Sequence, residues 1–206
     1  MNAVVPFKPI NPKSRLAKIL SEKEREEFAK LMLLDVLKVL KTVGFEVKVI
    51  ATSRIEIPMD VEVVEDRRSL DECINSELEE VPKAVVMSDL PLLNEEILKR
   101  FLEAKGDIVI APGRKGGTNM LLVRKKGFRV SYHYCSFLKH VNIAKSMNLS
   151  FAIFDSFYAS VDIDGEEDLI ELMIHGEGKL SKGYLEKIGF RIEFEKVPRL
   201  KRLSTS

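Results

Sequence analysis

The sequence has little cysteine and no tryptophan; Cys73 and Cys135 are the two thiols in 206 residues. Two thiols cannot build a disulfide framework, and they fit a chain kept reduced in the cytoplasm. Long apolar runs are missing as well. None approaches the roughly 18 residues that a membrane-spanning helix needs. Met1–Lys13 lacks the hydrophobic stretch of a signal peptide, so neither a membrane partner nor export is expected. Charge of one sign is absent too, with 33 Lys+Arg against 32 Asp+Glu and a net charge of +1. That balance excludes the broad basic surface of a protein that coats nucleic acid. Any phosphate would have to be held by a few placed cations and backbone amides. With 3 histidines and no serine in a nucleophile-elbow pattern, a hydrolytic triad is also disfavoured.

What is present is enough for a core: 45% of the residues are hydrophobic. The length suits one domain spanning 1–206, because no linker or internal repeat divides it. Strand-like and helix-like patterns alternate, which predicts an α/β fold. Ala3-Val4-Val5-Pro6-Phe7 reads as a buried strand, and Pro6, Pro9 and Pro12 keep the following loop out of regular helix. Ser21 with Glu24 three residues later forms a capping box before an apolar stripe of Phe28, Leu31, Met32, Val36, Val39 and Leu40. Gly44 stops that helix. Strands are expected at 47–51, 61–64, 84–87, 108–111, 121–123, 151–154 and 190–194. Helices are expected at 69–78, after Asn94, after Ser136 and at 166–174. The order predicts a three-layer, doubly wound, mostly parallel sheet with helices on both faces, whose ligands lie beyond the carboxyl ends of the strands.

Three loops at such ends carry polar residues that a core does not need. The first, Phe7 to Leu16, offers Lys8, Lys13 and Arg15. It reads either as a clamp on a nucleoside triphosphate, with Arg15 able to make bidentate phosphate contacts, or as a basic surface loop. The second ends the buried run Ala84–Met87 in Ser88-Asp89. Asp89 is placed to hold magnesium together with substrate phosphates, or to cap the turn before Pro91. The third, Pro112-Gly113-Arg114-Lys115-Gly116-Gly117-Thr118, is a glycine-rich anion cradle or a hairpin tip, and the two readings are compatible. It is not a Walker loop, because the Gly-Lys-Ser/Thr ending is missing.

Two further clusters stand out. In Ser131–His140, the residues His133, Cys135 and His140 could be read as metal ligands, but their spacing is not that of a structural zinc site. The competing reading has Ser136 capping a helix whose exposed amides face a phosphate. In Val161-Asp162-Ile163-Asp164-Gly165, the two aspartates share a side if the stretch is extended. Asp164 could instead cap the next helix with Glu167 in its capping box. That reading leaves Asp162 as the better partner for Asp89 at a metal.

Taken together, VVPFKPINPKSRLAKILSEKEREEFAKLMLLDVLKVL, INSEL at 74–78, MSDLPLL from 87, GGTN at 116–119, CSFLKH at 135–140 and VDIDGEEDL at 161–169 resemble the 2-phospho-L-lactate guanylyltransferases of coenzyme F-420 biosynthesis. The resemblance spans nearly the whole chain, in order. It implies a Rossmann-like nucleotidyltransferase sheet and transfer of GMP from GTP to the phosphate of 2-phospho-L-lactate, or of phosphoenolpyruvate in some relatives, with release of pyrophosphate. By the same resemblance, Lys8, Lys13, Arg15 and Asn75 face the nucleotide, and Asp89 with Asp162 or Asp164 holds magnesium. Thr118, His133 and Ser136 line the site of the phosphorylated three-carbon acid. Lys13, Arg15 and Asp89 would carry the chemistry. Two departures are visible. His133 stands where many relatives have glycine. Gly113 stands where many have an acid, a change expected to bear on no metal ligand.

The reaction is consistent with the residues. A phosphate monoester with a second pKa near ~6 is largely a dianion at neutral pH and attacks without a general base. A nucleotidyltransferase acting on another phosphorylated acceptor fits the same loops. A non-catalytic nucleotide-binding protein fits less well, because paired carboxylates have little use in a purely cationic cradle. The basic tail 196–203 reads as a solvated end or as a surface for a second copy in a homodimer.

Overall fold

Alternation along the strands sorts the side chains into two cores, one on each face of a seven-stranded sheet. In a computed structural model, which describes residues 1–193 and 197–203, the sheet order is β3-β2-β1-β4-β6-β5-β7. The strands are β1 (Asn2–Phe7), β2 (Glu46–Ala51), β3 (Glu62–Glu65), β4 (Lys83–Val86), β5 (Ile108–Pro112), β6 (Thr118–Val123) and β7 (Phe151–Ile153). β6 runs antiparallel to both its neighbours, β4 and β5, and the other pairings are parallel. The mostly parallel α/β fold expected from the pattern is therefore observed.

Ala3, Val5, Ala84, Val86, Val109, Met120 and Leu122 point to one face. There they meet α1 (Glu22–Thr42), α3 (Glu95–Glu103), the single turn α5 (Phe157–Ser160), α6 (Glu166–His175) and α7 (Leu180–Lys187). Val4, Val85, Ile110, Leu121 and Val123 point the other way, to α2 (Leu70–Glu77) and α4 (Ser136–Ser146). Strands buried on both faces need continuous apolar runs, and Ala84-Val85-Val86 is one. The capping box at Ser21 is formed, with Glu24 N donating to Ser21 Oγ and Glu24 Oε2 accepting from Ser21 N at 2.7 Å. It satisfies two of the amides that α1 leaves unpaired, worth about 0.5–2 kcal/mol.

Three expectations need correction. The late strand is β8 (Phe190–Glu193), and it leaves the main sheet to pair with β9 (Arg199–Arg202) in a separate two-stranded ribbon. Phe194 and Lys196, which the sequence reading included in the strand and the tail, lie outside the described residues. The basic tail is not a free end. Arg202 donates to Ile19 O at 2.9 Å, pairs with Glu24 and stacks over the Phe190 ring. Helix α7 was not anticipated, because Gly183 and a thin apolar stripe give it a weak helical pattern.

Asp35 explains where α7 comes from. It lies on the buried stripe of α1, 4% exposed, and accepts from Leu180 N at 2.8 Å, Ser181 N at 3.0 Å and Ser181 Oγ at 2.6 Å. One helix thus caps the start of another 145 residues away. Removing the carboxylate strands buried donors, so Asp35→Ala is expected to cost about 2–4 kcal/mol in urea unfolding. Asp35→Asn, which keeps an acceptor oxygen, should lose less. Equal stability of the wild type and the alanine variant would refute this account.

Candidate active site

Beyond the carboxyl ends of β1 and β4, a cleft of about 380 Å³ is lined by Lys8, Lys13, Arg15, Ser88, Asp89 and Asp164, among others. Its centre is the Lys13 ammonium. Nζ lies 2.6 Å from Asp89 Oδ2 and 2.8 Å from Asp164 Oδ1, and Arg15 Nη1 reaches Asp164 Oδ2 at 3.0 Å. Burial works to lower the Lys13 pKa, but the Asp89 and Asp164 carboxylates hold it above its usual value. Burial works equally to raise Asp164, and Lys13, with Arg15 and Lys115, keeps it below the ordinary carboxylate range.

Lys13 reaches this point because its loop is bent sharply. Asn11 (φ 46) and Lys13 (φ 51) both have left-handed backbones around Pro12, a conformation that costs roughly 1–3 kcal/mol per non-glycine residue. Arg25, 7% exposed on the inner stripe of α1, holds the bend in place. It donates to Pro12 O at 3.1 Å, Leu20 O at 3.0 Å and Asn11 Oδ1 at 2.7 Å. The sequence reading did not single out Arg25. The signal was an arginine one turn ahead of Phe28 and Ala29, on a stripe that is otherwise apolar.

Asp162 sits beside this pair of ion bridges without joining them. Its Oδ1 accepts from Asn119 Nδ2 at 3.3 Å, and it has no cation partner among the described residues. Burial, and then the charge of Asp89, push its carboxyl up. Asn119 also donates to Ala159 O at 3.0 Å, and its carbonyl accepts from Met87 N at 3.0 Å, so it ties β6 to the end of β4. Gly113 packs against the same group. A Cβ there would stand 2.5 Å from Asn119 Oδ1 and 3.1 Å from Asp162 Oδ1. The departure at Gly113 therefore borders Asp162, one of the carboxylates expected at the metal.

Asp164 is not the cap of α6. Gly165 holds that position, and Asp168 Oδ2 accepts from Asp164 N at 3.0 Å and Gly165 N at 2.8 Å. The helix starts at Glu166 as expected, and with Gly165 as its cap the third residue is Asp168 rather than Glu167. The Asp164 carboxylate is thereby released to Lys13 and Arg15. Lys8 lines the cleft with no ion pair of its own among the described residues. Arg114 and Lys115 turn away to Glu171 and Asp168 on α6, at 3.4 and 3.5 Å.

The Gly113–Gly117 segment is both a hairpin tip and a rim of the site. Gly113 N donates to Gly117 O, and Phe137 N donates to Gly116 O at 3.1 Å, which binds the tip to the start of α4. Thr118 and Ser136 come together here: both are buried, with Ser136 Oγ 3.2 Å from Thr118 Oγ1. Ser136 is not the expected cap. Cys135, with a left-handed backbone, precedes the helix, and Ser136 is its first residue, leaving the hydroxyl free to face Thr118. His140 lies beneath them, fully buried, with Nδ1 2.9 Å from Thr118 Oγ1 and Nε2 accepting from Ser131 N. Both nitrogens are engaged, and among the described residues no cluster of three metal-ligating side chains forms.

Two expected site residues have partners outside the Lys13 cleft. Asn75 spends its amide on Val130, accepting from its N–H at 2.8 Å and donating to its carbonyl at 3.3 Å. It braces a connecting segment and does not line the Lys13 cleft. His133 is 72% exposed and turns to Asp71 at 3.6 Å. No helix among the described residues is long and apolar enough to cross a membrane.

Comparison with known proteins adds an independent line. Residues 1–205 match the family described as guanylyl transferase CofC like. A 2-phospho-L-lactate guanylyltransferase of Archaeoglobus fulgidus is 59% identical over 202 residues, covering 98% of this chain and 97% of that protein. One of Ferroglobus placidus is 56% identical over 203 residues, covering 98% and 100%. Among solved structures, one from Desulfovibrio desulfuricans G20, provisionally assigned as a nucleotide-diphospho-sugar transferase, superposes with a TM-score of 0.76 at 15% identity over 90% of this chain and 94% of that one. The 2-C-methyl-D-erythritol 4-phosphate cytidylyltransferase of Thermus thermophilus gives 0.52 at 14% identity, over 85% and 96%. At such identities the structures speak for the fold alone, whereas the family match and the sequence relatives extend over almost the full length. The chain is therefore a nucleotidyltransferase and belongs to the guanylyl transferase family of CofC-like proteins.

Proposed function

We propose that this protein transfers GMP from GTP to the phosphate of 2-phospho-L-lactate and releases pyrophosphate. The observation that carries the reading is the juxtaposition of both charge types in one cleft. Lys13 bridges Asp89 and Asp164, Asp162 stands beside them with no cation partner among the described residues, and Lys8 and Arg15 line the mouth. The names of the sequence relatives supply the nucleotide and the acceptor.

In this reading Lys8, Lys13 and Arg15 face the triphosphate, and Thr118 with Ser136 receives the phosphorylated acid. A phosphate oxygen of the acid attacks the α-phosphorus in line. The new P–O bond forms as the bond to the β-phosphate breaks, and pyrophosphate leaves with the electron pair. The acceptor is already a dianion, so no side chain needs to take a proton. The work of the chain is alignment and charge compensation. Asp89 and Asp162 suit a hard divalent cation, because their donors are all oxygen and Asp162 is pushed toward protonation by burial and by Asp89. Magnesium bound there would withdraw charge from the α-phosphate and the leaving group. Asp164, committed to Lys13 and Arg15, acts in this reading as the anchor of the two cations.

Purified protein supplied with magnesium and each of the four NTPs should release pyrophosphate with GTP and 2-phospho-L-lactate, and phosphoenolpyruvate in the same panel ranks the acceptors. No release with any pairing would refute the reading. Asp89→Asn and Asp162→Asn should each lower turnover by about 10²–10³-fold at unchanged fold, and chelation should abolish activity until magnesium is restored. Arg25→Met tests the loop. Losing three anchors of the Asn11–Lys13 bend should lower kcat/KM for GTP at least tenfold, by roughly 1.4 kcal/mol or more, with the KM for the acid unchanged. Equal losses toward both substrates would show a general loss of structure instead.

A further inference from the structure

The hydroxyls of Thr118 and Ser136 are only part of a buried network whose deepest member is His140. Its Nε2 lies 3.0 Å from Ser131 N. A backbone N–H can only donate, so Nε2 must present its lone pair. Burial, reinforced by Lys139 and opposed by Asp71, pushes the imidazole down to about 4, so the ring is neutral at working pH. In a neutral imidazole whose Nε2 accepts, the one proton resides on Nδ1, and Nδ1 is 2.9 Å from Thr118 Oγ1. Tyr132 packs against the ring at 5.1 Å and 79°, and Phe128 at 6.0 Å, which fixes its plane.

Proton counting then decides what the hydroxyl pair offers. Thr118 and Ser136 own two O–H protons between them, and their mutual contact at 3.2 Å uses one. If His140 accepted from Thr118, it would use the other, and none would remain for a ligand. With Nδ1–H donating to Thr118, one hydroxyl proton is always left over, whichever way the mutual bond runs.

We propose that His140 is a positioning residue that makes the Thr118–Ser136 pair a net hydrogen-bond donor toward the anionic end of the acceptor. The inference deepens the acceptor assignment of Thr118 and Ser136 and rests on it. A carboxylate or phosphate oxygen has only lone pairs to offer, so a guaranteed donor favours it. The conventional alternative for a buried histidine, a metal ligand, leaves no nitrogen free here.

The first test uses the unmodified protein. In ¹⁵N-histidine spectra, the most protected of the three rings should carry its proton on Nδ1 near neutral pH, and a proton on Nε2 would overturn the inference. The second compares variants. His140→Leu should raise the KM for 2-phospho-L-lactate about tenfold, the scale of one lost hydrogen bond to a charged group, with the KM for GTP within twofold. His140→Asn, whose amide N–H can occupy the place of Nδ1–H, should recover most of that loss. An unchanged acceptor KM in His140→Leu, or an equal rise for GTP, would overturn it. Thr118→Val separates the two layers. If it leaves the acceptor KM unchanged, the acceptor assignment itself fails. If it raises that KM while His140→Leu does not, the role of His140 alone fails. Should His140→Leu not fold, the tautomer and the asparagine variant decide.

Discussion

Like charges do not gather at the end of a sheet without compensation, and the arrangement of this protein follows from how its carboxylates are tolerated. Asp89 is delivered by β4, while Asp162 and Asp164 come from the segment before α6. Ile163 N donates to Asp89 O at 3.0 Å, which pins that segment to the end of the strand. The three carboxylates stand in one another's field. At an effective dielectric near 20, two unit charges 4 Å apart repel by about 4 kcal/mol. The buried ammonium of Lys13 offsets that repulsion for Asp89 and Asp164 and leaves Asp162 as the unbalanced member.

Everything that places Lys13 therefore supports the site, although little of it lies in the cleft. The left-handed turns at Asn11 and Lys13 would relax if the loop were free. Arg25 prevents this by engaging both sides of the bend from inside a helix that is itself anchored in the larger core. The guanidinium costs desolvation and is compensated by three acceptors, two of them backbone carbonyls that would otherwise lie buried without a partner. The cation pair Lys13 and Arg15 and the acid Asp164 thus form a rigid side of the cleft. Lys8, exposed and without an ion pair among the described residues, is the adaptable one.

Much of this was legible in the sequence. The strands and the long helix follow from apolar periodicity, and the loops at their ends from proline, glycine and lone charges at strand tips. Polar residues set on apolar stripes were harder to read. Arg25 and Asp35 share the buried side of α1 with Phe28 and Met32, and His140 shares that of α4 with Val141 and Ala144. A helical pattern marks such residues as anomalies without naming their partners. Those partners lie 13 residues away for Pro12 and Arg25, 22 for Thr118 and His140, and 145 for Asp35 and Leu180. Asn75 and His133 are a different case. The resemblance points to both, Asn75 within a family stretch and His133 as a departure from one, and in the structure Asn75 bonds the Val130 backbone while His133 stands exposed beside Asp71.

The antiparallel strand explains why two substrates can meet at a single end of the sheet. In a purely parallel arrangement each strand would present only its carboxyl end there, and each new loop would require a crossover helix. β6 enters between β4 and β5 in the opposite sense, joined to β5 by the short glycine turn, so its amino end, Thr118-Asn119, lies at the edge where Asp89 emerges. From there Asn119 reaches Asp162 and the adjacent Thr118 reaches Ser136 and His140. Successive residues of a strand point to opposite faces. Unbroken alternation from Met120 would send Thr118 to the face of α5 and α6 and Asn119 to that of α4, but the β5–β6 register shifts between Ala111 and Pro112, and this bulge turns Asn119 to the carboxylates and Thr118 to the hydroxyl pair. A single dipeptide thus links the carboxylate group to the hydroxyl pair, and loss of the bulge would exchange the two roles.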